Sequence, residues 1–327
     1  MSRPRATVAL PTVDRIGYLK ESLESAAAQR YPNLEVLVSD NSADARYARQ
    51  VDALVAAARE KFPDVDIRVE HQADQITMEE NINFLVDHAM GEFWVYLPDD
   101  DRLLPECVTT LAASLERFPE ASLAFSNHWI IDGAGRRMPR ETEGHINGTH
   151  RGGLQEGIIT HPLLKKLALW SAVPLPGTLY RTTLLRRFPS RTTAAPDIDL
   201  VLRLADAEQE IQASFTPALL AEYRRHPGNY SVWTPTLWRS MVRDLERCQR
   251  LPAAEPRLYR RTLSKNYASL GKTLLTEDRA SARRALRTAL RLSPANPLCY
   301  RFLLQSLIPE RIGQRLRNSR TPSRRGT

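Results

Sequence analysis

The sequence predicts an α/β chain: a mainly parallel sheet flanked by helices, followed by an α-helical C-terminal extension. Three observations carry this expectation. Through Ile131, short apolar runs alternate with longer amphipathic segments roughly every 20–30 residues, the pattern of βαβ units. Two polar clusters, Ser39–Ser42 and Asp99–Asp101, fall at the carboxyl ends of predicted strands, where open α/β sheets bind ligands. Past Trp233 every periodic segment is helical and the charge reverses, from a net −7 through Val232 to a net +15 beyond it.

Taken in order, Thr7–Leu10 reads as a buried strand ended by Pro11, and Ile16–Ala28 as a helix with Asp14 as its N-cap. Glu35–Val38 is the second strand, and Ser39-Asp-Asn-Ser42 is a turn cluster. Arg46–Lys61 is helical, with Val51, Leu54, Val55 and Ala58 on one face. Val65–Val69 alternates as the third strand. Met78–Ala89 is a helix presenting Ile82, Leu85, Val86 and Ala89. Phe93–Leu97 is a fourth strand that stops at Pro98 and the aspartates. Glu106–Arg117 is helical and Ser122–Ile131 a further strand. Residues 132–153, rich in Gly, Arg and His, read as an excursion or hairpin; His145 and His150 lie there without other metal ligands. Pro162–Leu169 reads as a helix, Val173–Gly177 as a stiff loop, and Leu179-Tyr180 as a short strand. Asp197–Ala207 is helical, and Leu219–Tyr223 a strand running into Arg224–Ser231. The extension divides into helices Leu237–Arg250, Arg257–Leu275, Arg279–Leu292 and Pro297–Leu307. Its middle pair echoes a single tetratricopeptide unit, too few to build a solenoid.

With 327 residues, 42% hydrophobic and 26% charged, the composition is that of a globular chain of about two domains. That excludes wholesale disorder, collagen and a multi-span membrane protein. Cys107, Cys248 and Cys299 are odd in number and lack CxxC spacing, so neither a disulfide framework nor a zinc site is expected. No leader-like apolar stretch follows Met1, and no run of ~18 apolar residues occurs, so a cytoplasmic protein is expected.

The chemistry begins at Asp99-Asp100-Asp101. Adjacent carboxylates repel, and burying them together calls for a cation. A divalent ion held by one or two carboxylates plus a substrate diphosphate is the usual Mg²⁺ arrangement; a solvated acidic turn is the plainer alternative. The wider pattern then matters. Val8-Ala-Leu-Pro-Thr12, Leu19–Ser25, Gln29-Arg-Tyr-Pro32, Leu34–Ser42 and Asp44 resemble the opening of the family 2 glycosyltransferases. Asn81, Ala89, Gly91-Glu-Phe93 and Leu97–Asp101 are similar to its next block, which ends in a DXD motif. Asp197-Ile-Asp199-Leu with Leu202-Arg-Leu204 is similar to the acceptor-side block. Tyr223-Arg-Arg-His226 with Asn229 and Ser231 resembles the block that closes many such domains.

The resemblance spans roughly residues 6–231, and the order of its blocks is more specific than any block alone. It implies a GT-A fold and inverting transfer from a nucleotide-sugar donor, with a divalent cation, Mn or Mg, as cofactor. It further implies donor contacts from Pro11, Thr12, Asp14, Asp40, Asn41, Asn81, Asp99 and Asp100, and a cation on Asp99, Asp101 and His226. Asp197 and Asp199 are the two candidates for the base, with Asp197 favoured by its place in the block. Ser39 stands where the family often has the first Asp of a pair, which leaves Asp40 to read the nucleobase. Asn41 replaces a turn glycine, Pro196 an acidic residue, and Glu80 a frequent arginine. Trp170, Gly177 and Thr178 are candidates to shape the acceptor pocket; core packing explains them equally well.

The expected organisation is a catalytic domain over 1–232, with a nucleotide-sugar half to 131 and an acceptor half from 132, and a basic helical extension over 233–327. A glycan or lipid-linked acceptor is the family-level expectation. Ile308, Ile312 and Leu316 among arginines make a basic amphipathic tail, read either as a peripheral contact with the inner face of an anionic plasma membrane or as a solvated helix. No nucleic-acid motif accompanies that charge, so no nucleic-acid partner is expected. The rival readings are a nucleotidyltransferase of related topology, whose Gly-rich loop is missing after the first strand, and a degenerate nucleotide-sugar-binding protein.

Overall fold

The structure, a computed structural model, describes residues 3–191, 195–226, 228 and 234–307. Asn229, Ser231 and the basic tail from Ile308 onward lie outside the described residues. The chain divides into two compact units, Met1–Tyr230 and Ser231–Thr327.

The first unit is built on one mixed sheet. Its strands are β1 (Ala6–Thr12), β2 (Leu34–Asp40), β3 (Asp66–His71), β4 (Phe93–Tyr96), β5 (Arg102–Leu103), β6 (Ala121–Ile131), β7 (Gly157–Ile159), β8 (Thr178–Arg181) and β9 (Gln212–Arg224), in the order β3-β2-β1-β4-β8-β6-β9-β5, with β7 also on β9. Strands β1 to β4 are mutually parallel, and β6 runs parallel to β9. Strand β8 is antiparallel to both β4 and β6, and β5 and β7 are antiparallel to β9. The helices are α1 (Ile16–Ala27), α2 (Ala45–Lys61), α3 (Met78–His88), α4 (Cys107–Arg117), α5 (Pro139–Gly148), α6 (His161–Leu169), α7 (Thr182–Arg187) and α8 (Pro196–Asp206).

Alternation decides which residues meet. Ala6, Val8 and Leu10 of β1, Val36 and Val38 of β2 and Phe93 and Val95 of β4 point to one face. There they close a core with Leu19 and Leu23 of α1, Val51 and Val55 of α2, and Val108, Leu111 and Leu115 of α4. Ala9 and Leu37 on the opposite face are also fully buried, as expected of parallel strands covered on both sides. Each leucine so buried contributes about 1.5–3 kcal/mol. Local signals set the helix starts: Asp44 caps α2 by accepting from the Arg46 amide, and Thr77 with Glu80 forms a complete capping box on α3.

Several expectations are corrected. Strand β1 runs through Pro11 to Thr12, because β4 pairs with it only as far as Ala9, so the missing proline N–H faces no partner strand on that side. Asp14 is not a helix cap: α1 starts from Arg15, and Asp14 takes φ +48° while its amide donates to Ser42 Oγ at 3.0 Å. Asn41 does not adopt a glycine-like φ; its side chain is held by both the N–H and the C=O of Ile76, at 2.9 and 2.7 Å. Residues 132–153 open on a tight hairpin, with Ile131 bridged antiparallel to Arg137, as expected, but then hold α5 and a 3₁₀ turn (Arg151–Gly153). Helix α5 buries only Thr142, so it lacks the apolar stripe that announces a helix; that hydroxyl anchors it by accepting from the Ile130 amide of β6. Strand β9 is longer than expected because Pro217 interrupts its alternation, and register shifts near Asn127 absorb the irregularity.

The second unit is helical: α9 (Pro235–Glu246), α10 (Leu251–Ala254), α11 (Pro256–Leu274), α12 (Arg279–Leu292) and α13 (Pro297–Leu307). Helices α11 and α12 pack antiparallel, and a Cβ at Gly271 would sit 2.6 Å from Leu286 Cγ, so only glycine permits that approach. No helix among the described residues is long and apolar enough to cross a membrane.

Candidate active site

Strands β1, β2 and β4 end side by side, so Thr12, Asp40 and the Asp99–Asp101 run share the carboxyl edge of the sheet. Thr12 Oγ1 donates to Asp99 Oδ2 at 2.9 Å. Arg15, from the turn between β1 and α1, donates to Asp99 Oδ1 at 2.6 Å and to Asp100 Oδ2 at 3.3 Å. His226 Nε2 lies 3.1 Å from the same Asp100 oxygen, while His226 Nδ1 accepts from the Gly228 amide at 3.2 Å. That acceptor role leaves the ring proton on Nε2, facing Asp100.

Asp101 is treated differently by the fold. Its Oδ1 accepts from the Arg224 amide at 2.8 Å, and its Oδ2 is buried without a hydrogen-bond partner. Arg224 itself is fully buried, with its Nε donating to the Asp100 carbonyl at 2.7 Å and its guanidinium 4.5 Å from the Tyr18 ring. Burial pushes the Asp101 carboxyl well above the usual range, and the neighbouring Asp100 adds to the rise. Burial likewise lifts Asp99 to about 6, although Arg15 pulls the other way. Of the residues expected to hold a cation, Asp99 and His226 therefore flank Asp100, whereas Asp101 turns inward.

Beside this cluster Asp40 is buried and anchored. Its Oδ1 accepts from the Ser42 amide at 3.1 Å, and its Oδ2 meets His71 Nδ1 at 2.9 Å; His71 Nε2 in turn meets Asp52 at 3.0 Å. Asn81 is buried too, accepting from Ser39 Oγ at 2.6 Å. Pro11 is half-buried in the last turn of β1, and Asp14 is exposed. Glu80 is absorbed by the α3 cap.

Asp197 and Asp199 occupy the first turn of α8. Asp199 is 1% exposed and bound by two guanidinium groups, Arg191 at 3.0 Å and Arg203 at 2.8 Å. Asp197 makes no ion pair among the described residues. It lines a small cleft with Trp94, Tyr96, Leu175 and Tyr180, and burial there pushes its carboxyl up despite the helix-start amides beside it. Tyr96 connects the two acidic groups: burial raises its phenol, and Asp99, Asp100 and Asp197 all raise it further.

The three acceptor-side candidates are used largely for packing. Gly177 has φ +80°, and a Cβ there would lie 2.8 Å from Ser126 Oγ. Thr178 is buried and donates to the Pro174 carbonyl at 2.6 Å. Trp170 is half-buried with its ring 4.2 Å from that of His150. Arg15, Arg191 and His71 are the site groups that sequence reasoning missed. Only Arg15 carried a signal, its place between a strand end and a helix start opposite the aspartates.

Residues 7–175 match the family model for glycosyl transferase family 2. Among solved structures the chain is similar to residues 1–349 of TarS from S. aureus in complex with UDP-GlcNAc, at 16% identity and a TM-score of 0.61, covering 94% of this chain and 92% of that one. It is also similar to a mannosyltransferase from Pyrobaculum calidifontis in complex with GDP-Man and Mn²⁺, at 17% identity and a TM-score of 0.55, covering 94% and 86%. The likeness shows a GT-A fold. The chain belongs to glycosyl transferase family 2.

Proposed function

We propose that this chain transfers a sugar from a nucleotide-diphosphate sugar to an acceptor hydroxyl with inversion, and that Asp197 takes the hydroxyl proton. In this reading residues 1–131 hold the donor, residues 132–232 hold a glycan or lipid-linked acceptor, and residues 233–327 form a basic helical extension. The observation that carries it is the asymmetry at the start of α8. Asp199 is neutralised by two arginines, while Asp197 makes no ion pair among the described residues and lies in a cleft with aromatic walls, where burial raises its proton affinity. A carboxylate with raised pKa is the better general base. The sugars in the two similar structures, carried on UDP and GDP, support a nucleotide-diphosphate donor.

The chain's own groups divide the work. Asp40, fixed by the Ser42 amide and His71, presents a carboxylate to the nucleobase. Thr12, Asn41 and Asn81 shape the nucleoside side, and Arg15 provides a positive group beside Asp99 and Asp100 for the diphosphate. The acceptor oxygen bonds to the anomeric carbon as the bond to the diphosphate breaks, and the proton passes to an Asp197 oxygen. Asp100 and His226, with Asp99 beside them, suit a divalent cation that takes its remaining ligands from diphosphate and water. Among the described residues no three His, Cys, Asp or Glu groups gather for a cation held by protein alone. When bound, such a cation stabilises charge on the departing diphosphate.

The test is a panel of UDP- and GDP-sugars assayed for nucleoside diphosphate release, with NMR of the new anomeric centre. Inverted product from wild type and a loss of ~10²-fold or more in Asp197→Asn are expected, the scale of a general base. Retained configuration, or full activity in Asp197→Asn, overturns the reading.

A further inference from the structure

Arg151 is among the largest fully buried side chains in the molecule. Its Nε donates to Thr149 Oγ1 at 3.0 Å and its Nη1 to the Ser126 carbonyl at 3.3 Å, but its Nη2 is buried with no partner. No carboxylate pairs with it among the described residues. Burial alone moves its pKa, down to about 10, so it stays charged at neutral pH. Its Nη1 also lies 3.5 Å from His128 Nδ1. A guanidinium can only donate, so Nδ1 accepts and the His128 proton sits on Nε2. That Nε2 is likewise buried and unpartnered.

The surroundings deepen the imbalance. The His145 ring lies tilted beside that of His128, with centroids 5.0 Å apart. Burial lowers both imidazoles, and Arg151 and Arg225 lower them further; no acidic group contributes to either. Two buried donors without partners and a buried cation with no carboxylate beside it among the described residues are strongly unfavourable. They are what an oxyanion would satisfy.

Position identifies whose anion it is. Ser126, whose carbonyl accepts from Arg151, donates its amide to the Gly177 carbonyl at 2.9 Å. Leu175 of that same loop lines the Asp197 cleft. His150, next to Arg151, stacks on Trp170. The cluster is thus linked, through Ser126 and the Gly177 loop, to the cleft that Asp197 lines. We propose that Arg151 and His128 form a subsite for a phosphate group carried by the acceptor. This rests on the transferase reading above. Arg151 is 1% exposed, so binding requires the Arg151–Gly153 turn to shift.

Thermal unfolding of the full chain in inorganic phosphate, against chloride of equal ionic strength, tests the idea, since an anion that binds only the folded state raises Tm. Wild type should gain stability with phosphate, and Arg151→Gln should bind it at least ~10-fold more weakly, the scale of a charge-assisted hydrogen bond. His128→Asn, which removes the second donor, should weaken the response in the same direction and serves if Arg151→Gln fails to fold. The phosphate response should persist when UDP or GDP is saturating. An undiminished response in either variant, no response in wild type, or a response abolished by the nucleotide overturns the proposal. Stabilisation by UDP or GDP in both variants is read separately, so the donor reading can survive the loss of this one.

Discussion

The two acidic regions of the first unit use the same side chain in opposite ways. At the carboxyl ends of the strands, three adjacent aspartates are buried together, and the fold answers with Arg15, a backbone amide from Arg224 and the His226 ring. At the start of α8, two aspartates one residue apart are separated electrically: Asp199 receives both Arg191 and Arg203, and Asp197 receives neither. In each region one carboxylate is spent on structure, Asp101 or Asp199, and another is left facing the cleft or the strand-end edge. The difference teaches that which aspartate is chemically available depends on where the arginines arrive, not on the run of acidic residues itself.

The largest expected effect breaks the α8 asymmetry from its structural side. Asp199→Ala strands two guanidinium groups, one of them, Arg203, mostly buried, and should cost about 3 kcal/mol, the lower end for losing one partner of a buried pair. Urea unfolding measures it, and an unchanged midpoint would mean Asp199 is not the anchored member. The strand-end region offers the parallel comparison. Asp100→Ala should weaken Mn²⁺-dependent binding of a nucleoside diphosphate by at least ~10-fold, the worth of a charge-assisted contact. Asp101→Ala should keep most of that binding but lose about 1–3 kcal/mol of stability, because the buried Arg224 amide loses its acceptor. Titration calorimetry together with unfolding separates the two, and the reverse assignment would place the cation on Asp101.

The pH dependence sharpens the comparison further. A general base works ionised, and burial raises the Asp197 pKa, so kcat/KM should fall with decreasing pH through a value above the ordinary carboxylate range of about 4. An acid limb at or below that value would remove Asp197 from the role. The smallest effect concerns His71. Burial lowers its pKa, but hydrogen bonds to Asp52 and Asp40 outweigh that and leave it above 6.5. Its contribution to stability is therefore complete below about pH 6.5 and is lost as pH rises through the raised value. Wild type should show a modest fall in urea midpoint between pH 6 and pH 9, and His71→Gln should flatten it.

Much of this site was legible in the sequence because its parts sit at strand ends. Thr12, Asp40 and Asp99 each follow an apolar run of period two, and parallel pairing delivers such ends to one edge. The pairing of one α8 aspartate with Arg203 was also within reach, since the two are four residues apart on a helix. Helix α5 and strand β7 were not legible, because neither carries enough apolar residues to set a period. Asp100 was legible as one of three adjacent aspartates, but what sets it apart was not: its partner is a histidine 126 residues further on.

What the sequence by itself determined is therefore the alternating architecture to α4, the switch to helices after Trp233, and the membership of the strand-end cluster. All of these follow from short-range hydrophobic periods that each segment expresses whatever surrounds it. Only the tertiary structure decided the charge partners. Arg15 reaches Asp99 across 84 residues, Arg224 reaches Asp101 across 123, and Arg151 reaches no carboxylate among the described residues. Such choices depend on which loops converge at the sheet edge and how much water they exclude, and burial then raises the proton affinity of Asp197 and leaves Arg151 with no carboxylate partner among the described residues.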